Sequence, residues 1–436
     1  MRRITFISVF CVACCLTAGA DTWNLPGDFL SIQEAIDAVN SGDTIICGPG
    51  NYQENIDFKG KAIHLMSQLG PAATSIDGMQ SGSVVSFITG EGPDSIIEGF
   101  TITNGKDPFG GGIICNFSSP TITGNIVVGN ETDFSGGGIC CWLYAEPIIT
   151  NTIIADNVVN TPFGQGGGLS CWGESNPRIV NCTICKNSSA YTGGGIDVYN
   201  SSPVIRNSII WNNTAPDGAS IYVDGGAPNV RYSDVQGGWA GDGGRNIDGD
   251  PLFVDEGNND FHITIDSPCF NGGSNFAPVL PDYDFDGVAR DFNGFPDMGV
   301  YEYPREALLA DASSVSAAAG GTIGFDLFIS SEYDGRMYFL LASADGTFPG
   351  FIIPGSTSKL ALNWDNVGVH ILHNYNNATF VDFRGFLDAN GDAAATFEVP
   401  AGWIPSGMAG KTLDFVYATE YPNDFVSNPI PLDITP

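Results

Sequence analysis

One short string recurs along this chain and limits what it can fold into. GGGI or GGGL stands at Gly110–Ile113, Gly136–Ile139, Gly166–Leu169 and Gly193–Ile196, with a weaker GASI at Gly218–Ile221. The closing apolar residues are 113, 139, 169, 196 and 221, so the spacings are 26, 30, 27 and 25. A second element keeps step: PTITGNIVVGN from Pro120, PIITNTIIADN from Pro147, PRIVNCTICKN from Pro177 and PVIRNSIIWNN from Pro203. DSIIEGFTITN from Asp94 precedes them, and a degenerate copy starts at Pro228. Each intact copy closes on Asn at its eleventh residue: Asn104, Asn130, Asn157, Asn187 and Asn213. Units of this length, with β-prone runs and Gly, Pro or Asn at the corners, build a β-solenoid. Strand parity puts Ile139 and Cys141 on one face and Cys140 and Trp142 on the other. The residue two after each Pro is Ile122, Ile149, Ile179 or Ile205, an inward position. Asn at a corner tolerates the left-handed conformation and can bond its own copy one coil away. No amphipathic 3.6-residue period survives in these units, which excludes a helical repeat.

One helix is expected, over about 31–41. Ser31, Ile32, Gln33 and Glu34 read as a capping box, and Ile32, Ala35, Ile36 and Val39 form an apolar stripe. Such a helix can cover the open first coil of a solenoid. The helix, the lead-in GDTIICGPGNYQENI and the GGGI/Asn coils resemble the right-handed parallel β-helix proteins of the pectate-lyase-like superfold. The GG-x-[IL] units also resemble those of polymorphic outer-membrane proteins. DGDPLFVDEGNNDFHITIDSPCFNGGSN (248–275) and DFDGVARDFNGFPDMGVYEY (284–303) are similar to the closing segment of many secreted β-helix proteins. The resemblance covers about 21–303 and implies a fold more than an activity, because that superfold hosts lyases, hydrolases, esterases, adhesins and inert passengers.

The expected class is therefore all-β: a right-handed parallel β-helix with an N-terminal capping helix, then a C-terminal β-sandwich. Regular coils are expected over about 94–235 and the closing segment over 246–303. Past Pro304 the texture changes. A linker is expected over 304–311, and 312–436 reads as an immunoglobulin-like sandwich, with Ile323, Phe325, Leu327 and Ile329 alternating with their neighbours.

Residues 1–20 read as a secretory signal peptide. Arg2 and Arg3 precede the apolar run Ile4–Leu16, and Ala18-Gly19-Ala20 is a small-x-small cleavage site. The expected location is secreted or cell-surface, with no membrane span. After cleavage, 14 basic residues stand against 49 acidic ones, a balance of −35. That surface repels nucleic acid and anionic lipid and suits a neutral glycan, cations or simple solubility.

The chemistry is narrowed by what the strings lack. The glycines lead into strand-forming residues and no GK[ST] follows them, so a phosphate loop is excluded. The four histidines are His64, His262, His370 and His373, none between 65 and 261. A Ser-His-Asp or Cys-His site on those coils would need His64 or His262 to reach in from an end. Glu131, Asp133, Asp156, Asp197 and Asp217 are the carboxylates available on the coils for glycosidase chemistry, and they form no recognisable cluster. The hydrolase members' Gly-His-Gly is absent, and Gly50-Asn51-Tyr52-Gln53-Glu54 matches the esterase members without their Gln-Asp partner segment. Cys115, Cys141 and Cys171 recur two residues after the repeat's apolar residue. They read as a buried ladder, with one disulfide or a metal or redox site as alternatives.

Three sets of candidates remain. Trp142, Trp172 and Tyr199 share one outward column with Asn116 and Asp224, as a sugar-stacking surface unless loops or the sandwich cover it. Arg178, Arg206 and Arg231 face outward on three successive coils and require an acidic neighbour or an acidic glycan. Lyases of the resembled superfold use an Arg or Lys base, which makes these the candidate catalytic residues. Asp282, Asp284 and Asp286 match D-x-D-x-D-G, but Asn293 replaces the twelfth-position Glu, so a turn or a weak Ca2+ site is expected there. No cofactor is required. The expected function is an exported, non-enzymatic protein presenting a rigid face to an extracellular polysaccharide or cell-surface glycan, for binding or adhesion. The alternative is a polysaccharide-degrading enzyme, chiefly a lyase acting on an acidic glycan.

Overall fold

The computed structural model describes residues 20–264, 266–290, 295–303, 308–329, 333–347, 350–352, 359–360, 362–363, 365–389, 391–420 and 426–436. All but the last residue of the expected signal peptide lies outside these, as do Asn293 and residues 304–307. Among the described residues no helix is long and apolar enough to cross a membrane.

Each regular coil gives one short strand to each of three parallel sheets. The proline face has ten strands, from Thr22–Leu25 to Gly243–Gly244. The asparagine face has eight, from Gly50–Tyr52 to Asp234–Val235. The aromatic face has seven, from Ile56–Asp57 to Ile221–Asp224. Coils thus begin well before 94, where the GGG string is absent but the pairing is already in register, as at Thr44 with His64 and His64 with Ile96. Inward residues stack in columns: Ile113, Ile139, Leu169 and Ile196 form one, and Ile122, Ile149, Ile179 and Ile205 another, all fully buried.

The three glycines of each string serve two different needs. Gly136 has φ +69°, where glycine is favoured. Gly137 and Gly138 do not, but a Cβ there would stand 2.4 Å and 2.6 Å from the carbonyl oxygens of Gly167 and Gly168 in the next coil. The backbones of successive coils therefore approach where only glycine fits.

The asparagine ladder corrects one expectation. Asn130, Asn157, Asn187 and Asn213 are not the left-handed residues; Gly129, Asp156, Lys186 and Asn212, one position earlier, are. The Asn side chains turn inward instead. Asn157 Nδ2 donates to the Val127 carbonyl at 2.9 Å and to Asn187 Oδ1 at 3.0 Å, while its Oδ1 accepts from Asn130 N and Nδ2, each at 3.0 Å. The copy read from Asp94 is also shifted by one. Ile96 pairs with Thr121, so Gly105 rather than Asn104 occupies the ladder position.

The capping helix runs Ile32–Ala38, with Ser31 Oγ accepting from Glu34 N at 3.2 Å. Glu54 of the lead-in also caps it, accepting from Ile32 N at 2.8 Å and Gln33 N at 2.9 Å. The Gly50–Glu54 stretch thus serves the helix N-terminus.

The closing segment folds back along the asparagine face. Phe261, Val300 and Tyr301 pack on Ile153, Ala155 and Cys185, and Ile263, Cys269 and Met298 pack on Ile209. Asn151, Asn181 and Asn207 donate to carbonyls of this segment. Buried Arg290 ties it down through Glu302 at 2.6 Å, Asn151 at 2.7 Å and the Val300 carbonyl at 2.6 Å. This packing covers the asparagine face over the coils from Ile126 to Trp211.

The C-terminal region is a sandwich of a four-stranded and a five-stranded sheet, joined by Phe325, Phe397 and Phe415. Leu308–Ala310 already pairs with Gly321–Phe328, so the expected linker contributes a strand. The unforeseen helix Asn366–Asn374, capped by Asp365, carries His370 and His373.

Candidate functional site

The outward column of the aromatic face forms as its spacing predicts. Asn116 pairs with Trp142, Trp142 with Trp172, Trp172 with Tyr199, and Tyr199 with Asp224. No loop covers it fully, since Trp142, Trp172 and Tyr199 remain half-buried. The rings, however, do not lie flat on the sheet. Trp142 and Trp172 are stacked at 4.3 Å and 5°, and Trp172 and Tyr199 at 5.0 Å and 13°. Stacked rings spend their faces on each other and leave only edges outward. A sugar packs its C–H face on a ring face, so the strip as a whole is a structural ladder and only its ends offer a platform.

One end opens into a groove of about 510 Å3. Its apolar wall is Trp142, Phe109, Ile114 and Ile88, with Phe109 tilted against Trp142 at 4.7 Å and 57°. Its polar groups are Asn55, Ser83, Ser86, Asp107 and Asn116. The local sequence explains the opening. In later coils the glycine turn folds over the first outward residue, so Cys140, Ser170 and Asp197 are buried although parity aims them outward. The coil at Ser86 is preceded by Gly82-Ser83-Val84 instead of GGG, and Ser86 stays half-exposed; Ile114, which pairs with it in the next coil behind its own Gly110–Gly112, is half-exposed too.

The polar groups of this groove are only partly used by the protein. Asn55 Nδ2 donates to the Ser83 carbonyl at 2.9 Å, and Asp107 Oδ1 accepts from Phe109 N at 3.2 Å. Asn116 Oδ1 is buried without a hydrogen-bond partner among the described residues. Buried polar atoms are paired in nearly all cases, so this oxygen beside the groove is left as an acceptor for a water or a ligand group. Sequence reasoning placed Asn116 in the column and passed over it; Phe109, Asp107 and Ser86 carried no signal of their own. The missing GGG one coil before Ile113 was the available clue.

The other candidates stand apart from this groove. Arg178, Arg206 and Arg231 lie on the proline face, and Arg206 pairs in register with Arg231 while Arg178 sits in the neighbouring column. The acidic neighbour expected for them is absent among the described residues: none of the three forms an ion pair. Arg206 is held instead by the Asn229 side chain at 2.7 Å and by the carbonyls of Asn229 and Ile205 at 2.7 and 2.8 Å. Burial and the adjacent Arg231 lower its pKa.

Asp284 accepts backbone N–H groups from Asp286 at 2.9 Å, Val288 at 2.7 Å and Glu302 at 2.8 Å, which occupies both its oxygens. Asp286 is turned to His262 at 2.8 Å. With Asp282 they do not converge, and no group of three His, Cys, Asp or Glu side chains among the described residues is arranged to hold a metal. The D-x-D-x-D-G stretch is thus built as a turn that anchors the closing segment.

Cys115, Cys141 and Cys171 stack in register in the core, and the eight described cysteines are all buried free thiols. Burial pushes the Cys115 and Cys171 thiols well above the ordinary range, which removes thiolate reactivity. Of the coil carboxylates, Glu131 is paired with Lys106 at 2.8 Å and Asp156 with Lys186 at 3.3 Å. Asp197 is buried beneath the Gly193 turn, bonded to Thr192 at 2.6 Å, and burial lifts its pKa to about 6.

One comparison with known families agrees with the coils. A family model described as a right handed beta helix region matches residues 129–249. A cell surface glycoprotein of Methanothermus fervidus is 34% identical over 134 residues, which are 29% of this chain and 21% of that protein. The chain thus spans about a fifth of that relative's length. An alginate lyase of the PL6 family aligns at 16% identity and TM-score 0.37, over 49% of this chain and 31% of its own. A pectate lyase aligns at 14% identity and TM-score 0.31, over 65% of this chain and 97% of its own.

Proposed function

We propose that this right-handed parallel β-helix protein is an exported or cell-surface binding protein, and that it holds a glycan in the groove beside Trp142. The observation that carries this is the meeting of an indole, a phenyl ring and an unpartnered amide, Asn116, in one open groove. A pyranose has an apolar face for the ring and hydroxyls for the amide. Among the described residues the groove contains one carboxylate, Asp107, whereas hydrolysing a glycosidic bond takes two flanking it, and it contains no Arg or Lys to serve as a lyase base. Its chemistry therefore suits holding a sugar. The name of the surface glycoprotein relative is consistent with display outside the cell. Affinity electrophoresis through gels containing individual polysaccharides tests the reading. The wild-type chain should be retarded by at least one glycan and Trp142→Ala should migrate freely. Equal retardation of the two, with both folded by circular dichroism, would remove the groove from consideration.

A second reading keeps a separate observation. Arg178 and Arg231 are exposed cations on the proline face that form no ion pair among the described residues, in a chain with net charge −33. They suit an acidic glycan, and a lyase acting on one releases unsaturated products absorbing at 235 nm. Growth of that absorbance on a uronate polymer, lost in Arg206→Ala, would replace binding with catalysis.

A further inference from the structure

We infer that the groove beside Trp142 selects a neutral, hydroxyl-rich sugar unit and rejects a uronate at the same position; this rests on the glycan reading of that groove. The selecting group is Asp107. Its Oδ1 accepts from Phe109 N at 3.2 Å, which fixes the side chain at the groove wall, and its Oδ2 has no partner among the described residues. Asn116 Oδ1 is a second unpaired acceptor and Ser86 supplies a hydroxyl. No basic side chain lines the groove among the described residues. Lys106, next in sequence to Asp107, is turned to Glu131 at 2.8 Å.

Acceptors without cations are matched by hydroxyl donors. One sugar hydroxyl can donate to Asp107 and a neighbouring hydroxyl to Asn116 Oδ1. A carboxylate at the sugar's C6 has no proton to give at neutral pH and stands beside a like charge. Two unit charges a few ångströms apart at a protein surface repel by enough to change affinity about tenfold or more. Trp142 contributes equally to both ligands, since its ring meets the C–H face they share. Trp142 therefore sets affinity and Asp107 sets choice.

The test uses the full mature chain and two oligosaccharides of one backbone: cello-oligosaccharides or another neutral oligosaccharide retarding it in gels, and the same oligosaccharide oxidised to carboxylate at C6. Isothermal titration gives both affinities for wild type, Asp107→Asn, Asn116→Ala and Trp142→Ala. The neutral ligand should bind wild type at least tenfold more tightly than its carboxylated form. Asp107→Asn should shrink that ratio to about threefold or less, mainly by improving the carboxylated ligand. Asn116→Ala should weaken the neutral ligand severalfold. Equal wild-type binding of the two forms, with both abolished by Trp142→Ala, would overturn the selectivity and leave the glycan groove standing. An unchanged ratio in Asp107→Asn would overturn the role of that carboxylate. Binding of neither class, or binding indifferent to Trp142→Ala, overturns the groove reading and this inference together.

Discussion

The asparagine ladder offers the sharpest energetic test of how these coils are held. Replacing Asn157 by Ala removes four hydrogen bonds in a fully buried site. Two are donated, to the Val127 carbonyl at 2.9 Å and Asn187 Oδ1 at 3.0 Å; two are accepted, from Asn130 N and Nδ2 at 3.0 Å each. Each bond contributes about 1 kcal/mol net, and an orphaned buried donor such as Asn130 N costs about 1–3 kcal/mol. Some of these losses overlap, because Asn130 Nδ2 keeps the Ile102 carbonyl at 3.0 Å and the Val128 carbonyl at 3.2 Å. The expected destabilisation is about 3–5 kcal/mol. Equilibrium urea unfolding followed by tryptophan fluorescence measures it, provided the slope is unchanged between variants. Hydrogen exchange at the Asn130 amide adds a local readout, since that N–H loses its acceptor and should exchange much faster. Asn157→Asp keeps an acceptor but loses both donated bonds and buries a charge, so it should fare no better than Ala. If Asn served only as a corner residue, Asn157→Ala would cost under 1 kcal/mol and leave exchange unchanged, which would refute the ladder argument.

Other consequences can be measured directly. Gly137→Ala places a Cβ 2.4 Å from the Gly167 carbonyl oxygen and should cost about 2–3 kcal/mol or prevent folding, whereas Gly244→Ala meets nothing within 4 Å and should be nearly neutral in the same urea assay. Trp172→Ala breaks both ring stacks of the ladder; a loss of about 2–4 kcal/mol is expected, and a value near zero would mean the rings contribute no packing. His262 lies between Asp286 and Asp260; burial pulls its pKa down, but those two carboxylates outweigh it and raise it to about 9. The folded state then binds more protons than the unfolded one between about pH 6.5 and 9, so stability falls as pH rises through that window. Its side chain is 31% exposed, and the loss should be about 1–2 kcal/mol; thermal melts from pH 6.5 to 9.5 should show it, and His262→Gln should flatten the profile. Because both Asp284 oxygens already accept backbone N–H groups, chelator or millimolar Ca2+ should leave the melting temperature within about 1 °C, and a clear upward shift with Ca2+ would restore the metal reading.

Much of the solenoid was legible because a repeat converts local chemistry into long-range contact. A period of 25–30 residues places each residue over its copy one coil away, so the columns Trp142–Trp172–Tyr199 and Cys115–Cys141–Cys171 could be read by counting. Parity within a strand assigned Ile139 and Cys141 to the core for the same reason. Counting failed where the pattern faded. The coils before residue 94 pair as regularly as the rest, but their sequence lacks the glycine string, so only hydrogen bonding shows them. In the copy that begins at Asp94 the Asn stands one residue early, at Asn104, and Gly105 takes the ladder position.

Sequence alone determined the β-helix, its capping helix, the inward columns and the order of side chains along each face, since these follow from periodicity and the alternation of a strand. Only the tertiary structure decided how the outward residues are used. Parity says that Trp142, Trp172 and Cys140 point out of the coil. It does not say that the first two stack face to face, or that the Gly136 turn lies over the third. Nor does it show the closing segment lying along the asparagine face, or a groove open beside Trp142 where the coil at Ser86, two coils earlier, lacks its glycine turn. These depend on ring orientation and on contacts between segments without a common period, and such contacts leave no regular trace in the chain.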